Sequence, residues 1–232
     1  MSSLVQPRIR SSHDIMPRIV AYREQELEKH LPRDPFVFYI TDLVRCSRKR
    51  EFELSHPKLM YVRVASGRTF LGDTVHRGLE SMLKEIFGDS VVVEYEGGTE
   101  RYKEVFVDGV KYIVKGRIDA ILNGDTGVEI KETVSHGSLP YQHHVEQCML
   151  YNWLYGFRRT LLLYVSPDGI YEFEVVDRFS DEDVVRRIKE PRSPRYEWEC
   201  ELCEFRSICS TAKLVQANTQ KKQRTPLFSQ KP

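Results

Sequence analysis

Asp119, Glu129 and Lys131 are the residues whose types and spacing suit hydrolytic chemistry. Glu129 and Lys131 stand two apart in Gly127-Val128-Glu129-Ile130-Lys131, so on a strand their side chains share one face. If Asn123-Gly124-Asp125 forms a hairpin turn, pairing about residue 124 sets Asp119, in Gly116-Arg117-Ile118-Asp119-Ala120, directly opposite Glu129. Two carboxylates at cross-strand distance repel unless a cation neutralises them. Mg²⁺ or Mn²⁺ held by one or two carboxylates, with open water positions, suits phosphodiester hydrolysis, where Lys131 would orient the nucleophile or offset the phosphate charge. A plain surface hairpin with a Glu-x-Lys pair has the same spacing.

Two further features change the weight of that motif. His76, in Gly72-Asp73-Thr74-Val75-His76, lies on the apolar side of an amphipathic helix, from which it could reach the hairpin as a third ligand. A boundary histidine satisfied by its neighbours is the plain alternative. Gln147 and Tyr151 stand at i and i+4, on one face of a helix that follows the Glu-x-Lys strand. An amide and a phenol so placed can hold a phosphate and stack on or cradle a base.

The cysteines form a second constellation. Cys46 stands alone, while Cys200, Cys203 and Cys209 form a C-x2-C-x5-C run. Four thiolates are the ligand set of an iron-sulfur cluster or of tetrahedral zinc. Structural zinc with four cysteines usually presents two C-x2-C knuckles; the single knuckle here tilts the reading toward iron-sulfur, with scattered reduced thiols as the third option. Either metal would act as a clasp joining the two ends around an inner domain. Cys148 is left over and falls on a core position of its helix.

Composition bounds what these groups can serve. The 232 residues, 41% hydrophobic and 30% charged, fit one good-sized domain with an appendage. No signal peptide and no apolar run of membrane-spanning length is present, which predicts a cytoplasmic protein with reduced thiols and no membrane partner. A net charge of +1 excludes gross electrostatic capture of nucleic acid but allows local basic patches. Two occur beside the cysteines: Arg45, Arg48, Lys49 and Arg50, and Arg186, Arg187, Lys189, Arg192 and Arg195.

The elements that must position these residues follow from periodicity. A helical pattern covers 17–31, Phe36–Ile40 reads as a short strand, and Thr41-Asp42 caps a helix carrying Cys46. Residues 68–87 form the clearest amphipathic helix, with Phe70, Leu71, Val75, Leu79, Met82, Leu83 and Ile86 at steps of three and four, ending at Gly88. Strands follow at 91–96, 101–107, 110–122 and 126–132, read as an antiparallel meander. A helix over 140–155, a hairpin joining 160–166 to 170–176 and a short helix from Ser180 complete the core. These patterns divide the chain into an N-terminal helical segment (1–35), a core (36–193), a cysteine segment (194–212) and a polar tail (213–232) expected to be disordered.

Taken in order, Gly-x3-His, Gly-x-Ile-Asp, Glu-x-Lys and Gln-x3-Tyr resemble the RecB-type branch of the PD-(D/E)xK nucleases, and the four cysteines resemble its iron-sulfur branch. A free-standing chain of this length without a Walker A motif is most similar to the CRISPR-associated exonucleases of the fourth Cas family. The resemblance covers roughly residues 36–212. It implies an α/β (α+β) restriction-endonuclease-like core, with a mixed, largely antiparallel central sheet flanked by helices. It implies His76, Asp119, Glu129 and the Ile130 backbone carbonyl as ligands of Mg²⁺ or Mn²⁺, with Lys131 catalytic. Gln147 and Tyr151 would lie at the substrate, joined by Tyr141 as a base-stacking ring, and Cys46, Cys200, Cys203 and Cys209 would hold a 4Fe-4S or 2Fe-2S cluster.

The implied activity is exonucleolytic hydrolysis of single-stranded or frayed DNA, commonly 5′ to 3′, in CRISPR spacer acquisition and antiviral defence, with the Cas integrase complex as partner. Endonuclease activity stays open. A nuclease subunit of a DNA-repair helicase-nuclease system, a catalytically idle iron-sulfur or zinc DNA-binding module, and a zinc-stapled structural partner are the rival readings. One departure from the pattern is mild: Ser47 follows the first cysteine where relatives often carry Pro.

Overall fold

In the computed structural model of the chain, residues 14–133 and 139–212 are described. The expected disordered tail lies outside them. The chain enters through helix α1 (Met16–Glu28), which buries none of its residues. The short strand β1 (Val37–Tyr39) leads into α2 (Ile40–Val44), where the Asp42 carboxylate accepts from the Tyr39 N–H at 2.9 Å and so caps the first turn. Arg45 is extended (φ −121°, ψ 176°), so α2 ends before Cys46, which opens a separate helix α3 (Ser47–Ser55). The helix expected to carry Cys46 is thus two helices with the cysteine at their joint.

Helix α4 (Gly67–Phe87) begins with the Ser66 side chain accepting from the Thr69 N–H and ends at Gly88, whose φ of 56° suits a residue without Cβ. Only part of its apolar set turns inward: Val75, Leu79 and Leu83 pack, partly buried, on the sheet, whereas Phe70, Leu71, Met82 and Ile86 stay exposed.

The strands do not form one meander. β2 (Val91–Val93) is followed by the β3 (Glu100–Val107) and β4 (Val110–Arg117) hairpin, whose turn is made by Asp108 and Gly109 at positive φ. That hairpin joins β1, parallel to β4, in a three-stranded sheet of order β1-β4-β3. The run expected to be one strand from 110 to 122 breaks at Ile118-Asp119, and β5 (Ala120–Leu122) enters a second sheet with β6 (Thr126–Glu132). Asn123 and Gly124, both at positive φ, turn β5 into β6.

The second sheet has the order β2-β5-β6-β7-β8, with β7 (Arg159–Ser166) and β8 (Gly169–Val175) as its last hairpin. Its pairs are antiparallel except β6–β7, which runs parallel through the crossover helix α5 (Gln142–Tyr155). It is the mixed, largely antiparallel sheet flanked by helices that the resemblance implies. α4 covers one face through Val91, Val93, Ala120, Val128 and Ile130, and α5 packs Cys148 and Met149 against Leu162, Tyr164 and Val175. α6 (Asp181–Lys189), capped by Ser180, closes the main core against Leu43, Val105 and Trp153.

Candidate active site

β6 lies between β5 and β7, and its alternating side chains sort the chemistry from the packing. Val128 and Ile130 point into the core under α4, while Glu129 and Lys131 point the other way, toward α5. Lys131 Nζ donates to Glu129 Oε1, as their shared face requires. The β5–β6 ladder pairs Ala120 with Val128 and ends there. One step further, Asp119 faces Glu129, so the symmetry about Gly124 holds, but Asp119 has left the ladder. Its Oδ2 accepts from the Ile130 N–H at 2.6 Å, replacing the strand that is no longer there. N–H and C=O of one strand residue point to the same side, so the Ile130 carbonyl faces the Asp119 side as well.

His76 approaches from α4, with Nδ1 3.1 Å from Asp119 Oδ1. Gln147 approaches from α5 and donates from Nε2 to Glu129 Oε1 at 2.6 Å. Glu129 Oε2 is buried with no hydrogen-bond partner. Burial and the Asp119 charge push the Glu129 carboxyl up to about 7 against the pull of Lys131. Burial lowers the Lys131 ammonium, but the Glu129 and Asp119 charges outweigh it, so its pKa lies above the ordinary lysine value. His76 is raised in the same way: burial opposes, and the bond to Asp119 prevails.

The structure therefore brings His76, Asp119, Glu129, Ile130, Lys131 and Gln147 together. Tyr151 joins them only from behind. It is 3% exposed, its hydroxyl donates to the Arg117 carbonyl at 3.0 Å, and its ring is packed among core side chains, so it has no face free for a base. Tyr141 is half-buried at the start of α5, with its N–H donating to the Tyr164 hydroxyl at 3.0 Å.

Glu80 is the residue that sequence reasoning missed. One helical turn after His76 on α4, it is buried, with its carboxyl pushed up to about 7 by burial and by Glu94 and Asp119 despite a hydrogen bond from the Tyr95 N–H. His76, Glu80 and Asp119 each offer a ligand atom within 4.8 Å of the others. The i, i+4 spacing from His76 was the available signal.

Cys46, Cys200, Cys203 and Cys209 line one cavity of about 150 Å³, with Phe52, Trp198 and Ala212. Glu199 stitches its two halves: Oε1 accepts from the Cys46 N–H at 2.7 Å, and Oε2 accepts from the Arg195 and Tyr196 N–H groups. Cys148 is fully buried on α5 and does not line this cavity.

The basic run around Cys46 is mostly not a surface patch. Arg45 and Arg33 bind Asp42 and Glu53, which are nearly fully buried, Arg50 lies beside Asp42, and Arg63 and Lys49 bind Glu204 next to Cys203. Burial raises all three carboxyls, but the neighbouring cations outweigh it and hold them below their ordinary values.

No protein-family model matches the chain. The CRISPR-associated exonuclease Cas4 of Saccharolobus solfataricus is 36% identical over 196 residues, spanning 80% of this chain and 94% of that protein. The crystal structure of SSO0001 superposes with a TM-score of 0.78 at 33% identity, covering 85% of this chain and 97% of that one. At that identity, over nearly the whole of its curated relative, the chain belongs to the family of the CRISPR-associated exonuclease Cas4.

Proposed function

We propose that this protein is a divalent-metal-dependent exonuclease that trims single-stranded or frayed DNA from the 5′ end, with Cys46, Cys200, Cys203 and Cys209 holding an iron-sulfur cluster as a structural clasp. The observation that carries the nuclease reading is the meeting of Asp119, Glu129 and His76 beside Lys131, with the buried Glu129 Oε2 lacking any partner. A buried carboxylate oxygen without a donor is unfavourable by about 1–3 kcal/mol, and a cation removes that penalty. The donor set is one imidazole and hard oxygens, including the Ile130 carbonyl, which fits Mn²⁺ or Mg²⁺; Glu80 supplies a further carboxylate on the same side.

When bound, such a cation lowers the pKa of a coordinated water and offsets charge on the phosphate. The chain's own residues do the rest. The Ile130 N–H and His76 fix Asp119, Gln147 and Lys131 fix Glu129, and the Lys131 ammonium stands ready to orient the attacking water or stabilise the phosphorane charge.

For the clasp, four thiols around one cavity fit the ligand count. The single C-x2-C knuckle is the feature that favours a cluster over four-cysteine zinc. Kinship with a CRISPR-associated exonuclease supports a role in spacer acquisition alongside the Cas integrase. End-labelled single-stranded DNA incubated with Mg²⁺ or Mn²⁺ tests the reading. Products should shorten from the 5′ end, EDTA should abolish cleavage, and Glu129→Ala should reduce it at least about a hundredfold. Undiminished cleavage by well-folded Glu129→Ala sinks the assignment.

A further inference from the structure

The site and the cysteine segment are joined by a run of rings that the chemistry above does not use. In the β6–β7 register Lys131 pairs with Tyr164. The Tyr164 hydroxyl lies 2.8 Å from His144 Nδ1, and the His144 ring lies 4.0 Å from that of His143. His143 then meets Trp198 at 5.0 Å and Tyr196 at 5.6 Å, and Tyr196 and Trp198 lie in near-parallel planes, 16° apart. Trp198 is 45% exposed and so presents ring surface to solvent.

A cation stands beside them. Arg195 immediately precedes Tyr196, its Nε is buried without a hydrogen-bond partner, and no carboxylate lies within 4.0 Å of its guanidinium among the described residues. In the same basic run Arg186 pairs with Asp183, Arg187 with Glu146 and Lys189 with Asp108. Burial and the nearby Arg187 charge lower the Arg195 pKa, so an incoming anion would relieve both effects. Burial and the Lys131 charge push His143 down to about 4, so at neutral pH its ring is uncharged.

We propose that Trp198, Tyr196 and His143 form a base-stacking platform that seats single-stranded DNA between the clasp and the hydrolytic site, with Arg195 on the adjoining phosphate. An exposed indole backed by half-buried rings, with a guanidinium beside them, supplies the two components by which proteins hold single strands without reading sequence. The proposal rests on the nuclease reading, and it moves the stacking surface from the buried Tyr151 to the clasp side of α5.

The test is fluorescence anisotropy with labelled oligo(dT) and a fully abasic oligonucleotide of equal length, in EDTA to prevent cleavage. Trp198→Ala should weaken oligo(dT) binding about tenfold and leave the abasic strand unaffected. Trp198→Phe, which keeps a ring, should retain most of the affinity. Arg195→Ala should weaken both strands alike and lower the salt dependence by about one phosphate contact. Because Trp198 also lines the cysteine cavity, the melting temperature of each variant is measured alongside. Equal oligo(dT) affinity in Trp198→Ala and wild type overturns the platform, as does equal loss on the two strands or a Trp198→Phe as weak as Trp198→Ala. If wild-type protein itself fails to bind single-stranded DNA, the substrate reading falls together with the platform; unaffected variants of a protein that binds and cleaves it remove the platform alone.

Discussion

Gln147 tests whether the site works as its geometry implies. Family resemblance places Gln147 at the substrate, but its amide donates to Glu129 Oε1 at 2.6 Å, lies 3.3 Å from the Tyr151 hydroxyl, and is 6% exposed. On this geometry it positions a ligand. Replacement by Met keeps the volume and removes the donor. A hydrogen bond to a buried charged group contributes about 1.5–3 kcal/mol, but Lys131 remains on the same Glu129 oxygen, so the loss should fall toward the lower end. That corresponds to roughly tenfold in cation affinity, the lower end of the range seen when a group that orients a metal ligand is removed. The assay is cleavage of oligo(dT) as a function of Mg²⁺, with a calorimetric Mn²⁺ titration of the same Gln147→Met protein. We expect the half-saturating Mg²⁺ to rise at least about tenfold and kcat at saturating Mg²⁺ to stay within a few-fold of wild type. A variant with unchanged cation affinity but reduced kcat, or with a raised KM for DNA alone, would refute positioning and return Gln147 to the substrate.

Other perturbations probe the frame. At Gly127 an added Cβ would sit 2.6 Å from Ile118 and 2.9 Å from the Phe157 ring, so Gly127→Ala should lose about 1–3 kcal/mol in urea unfolding, and an unchanged midpoint would contradict that packing. Cys203→Ser should bleach anaerobically purified protein and lower its melting temperature, because the ligand bonds close a loop worth on the order of 4 kcal/mol of chain entropy; Cys148→Ser should leave the colour intact, and the reverse result would remove Cys203 from the ligand set. Asp42, Glu53 and Glu204 are held below their ordinary values by Arg45, Arg33, Arg63 and Lys49. Their contribution is therefore complete above the ordinary carboxylate range and is lost as pH falls through the lowered values. The melting temperature of wild type should drop steeply below about pH 4, and Glu53→Gln should start lower and drop less; parallel curves would rule out this network as the cause.

What could be read from the sequence was what local periodicity governs. The shared face of Glu129 and Lys131 follows from the two-residue period of a strand, and the approach of Asp119 follows from a turn centred on Gly124. The Gln147–Tyr151 spacing gave their common face correctly but not which way it looks, because that depends on α5 lying across the sheet, and the Tyr151 ring ended inside the core. The separation into two sheets at Ile118-Asp119 was marked only by Gly116 and Asp119, residues that strands disfavour, between the β-branched runs on either side. Arg45 and Arg50 read as a basic patch because the burial of Asp42 and Glu53, their near neighbours in sequence, is set by tertiary structure: Arg33 reaches both from upstream, and Glu204 meets Lys49 and Arg63 from far downstream. Buried charge is what a composition-based reading assigns to solvent.

The place of β6 in the sheet has a consequence for motion. A strand with neighbours on both sides cannot release its amides without separating from β5 or β7, and β7 is tied to β6 through α5. The Glu129 and Lys131 amides, on the β7 side, should therefore exchange with solvent deuterium only in the rarest, most global openings, whereas the Ile130 amide, past the end of the β5 ladder, is held by the Asp119 side chain. α1, which fully buries no residue, stands lower on that scale but is tied to α4: Arg23 donates to the Thr69 hydroxyl at 3.0 Å and pairs with Asp73 at 2.9 Å, three residues before His76. Loosening at the amino end is therefore felt on the helix that carries His76 before it reaches the strand that carries Glu129 and Lys131.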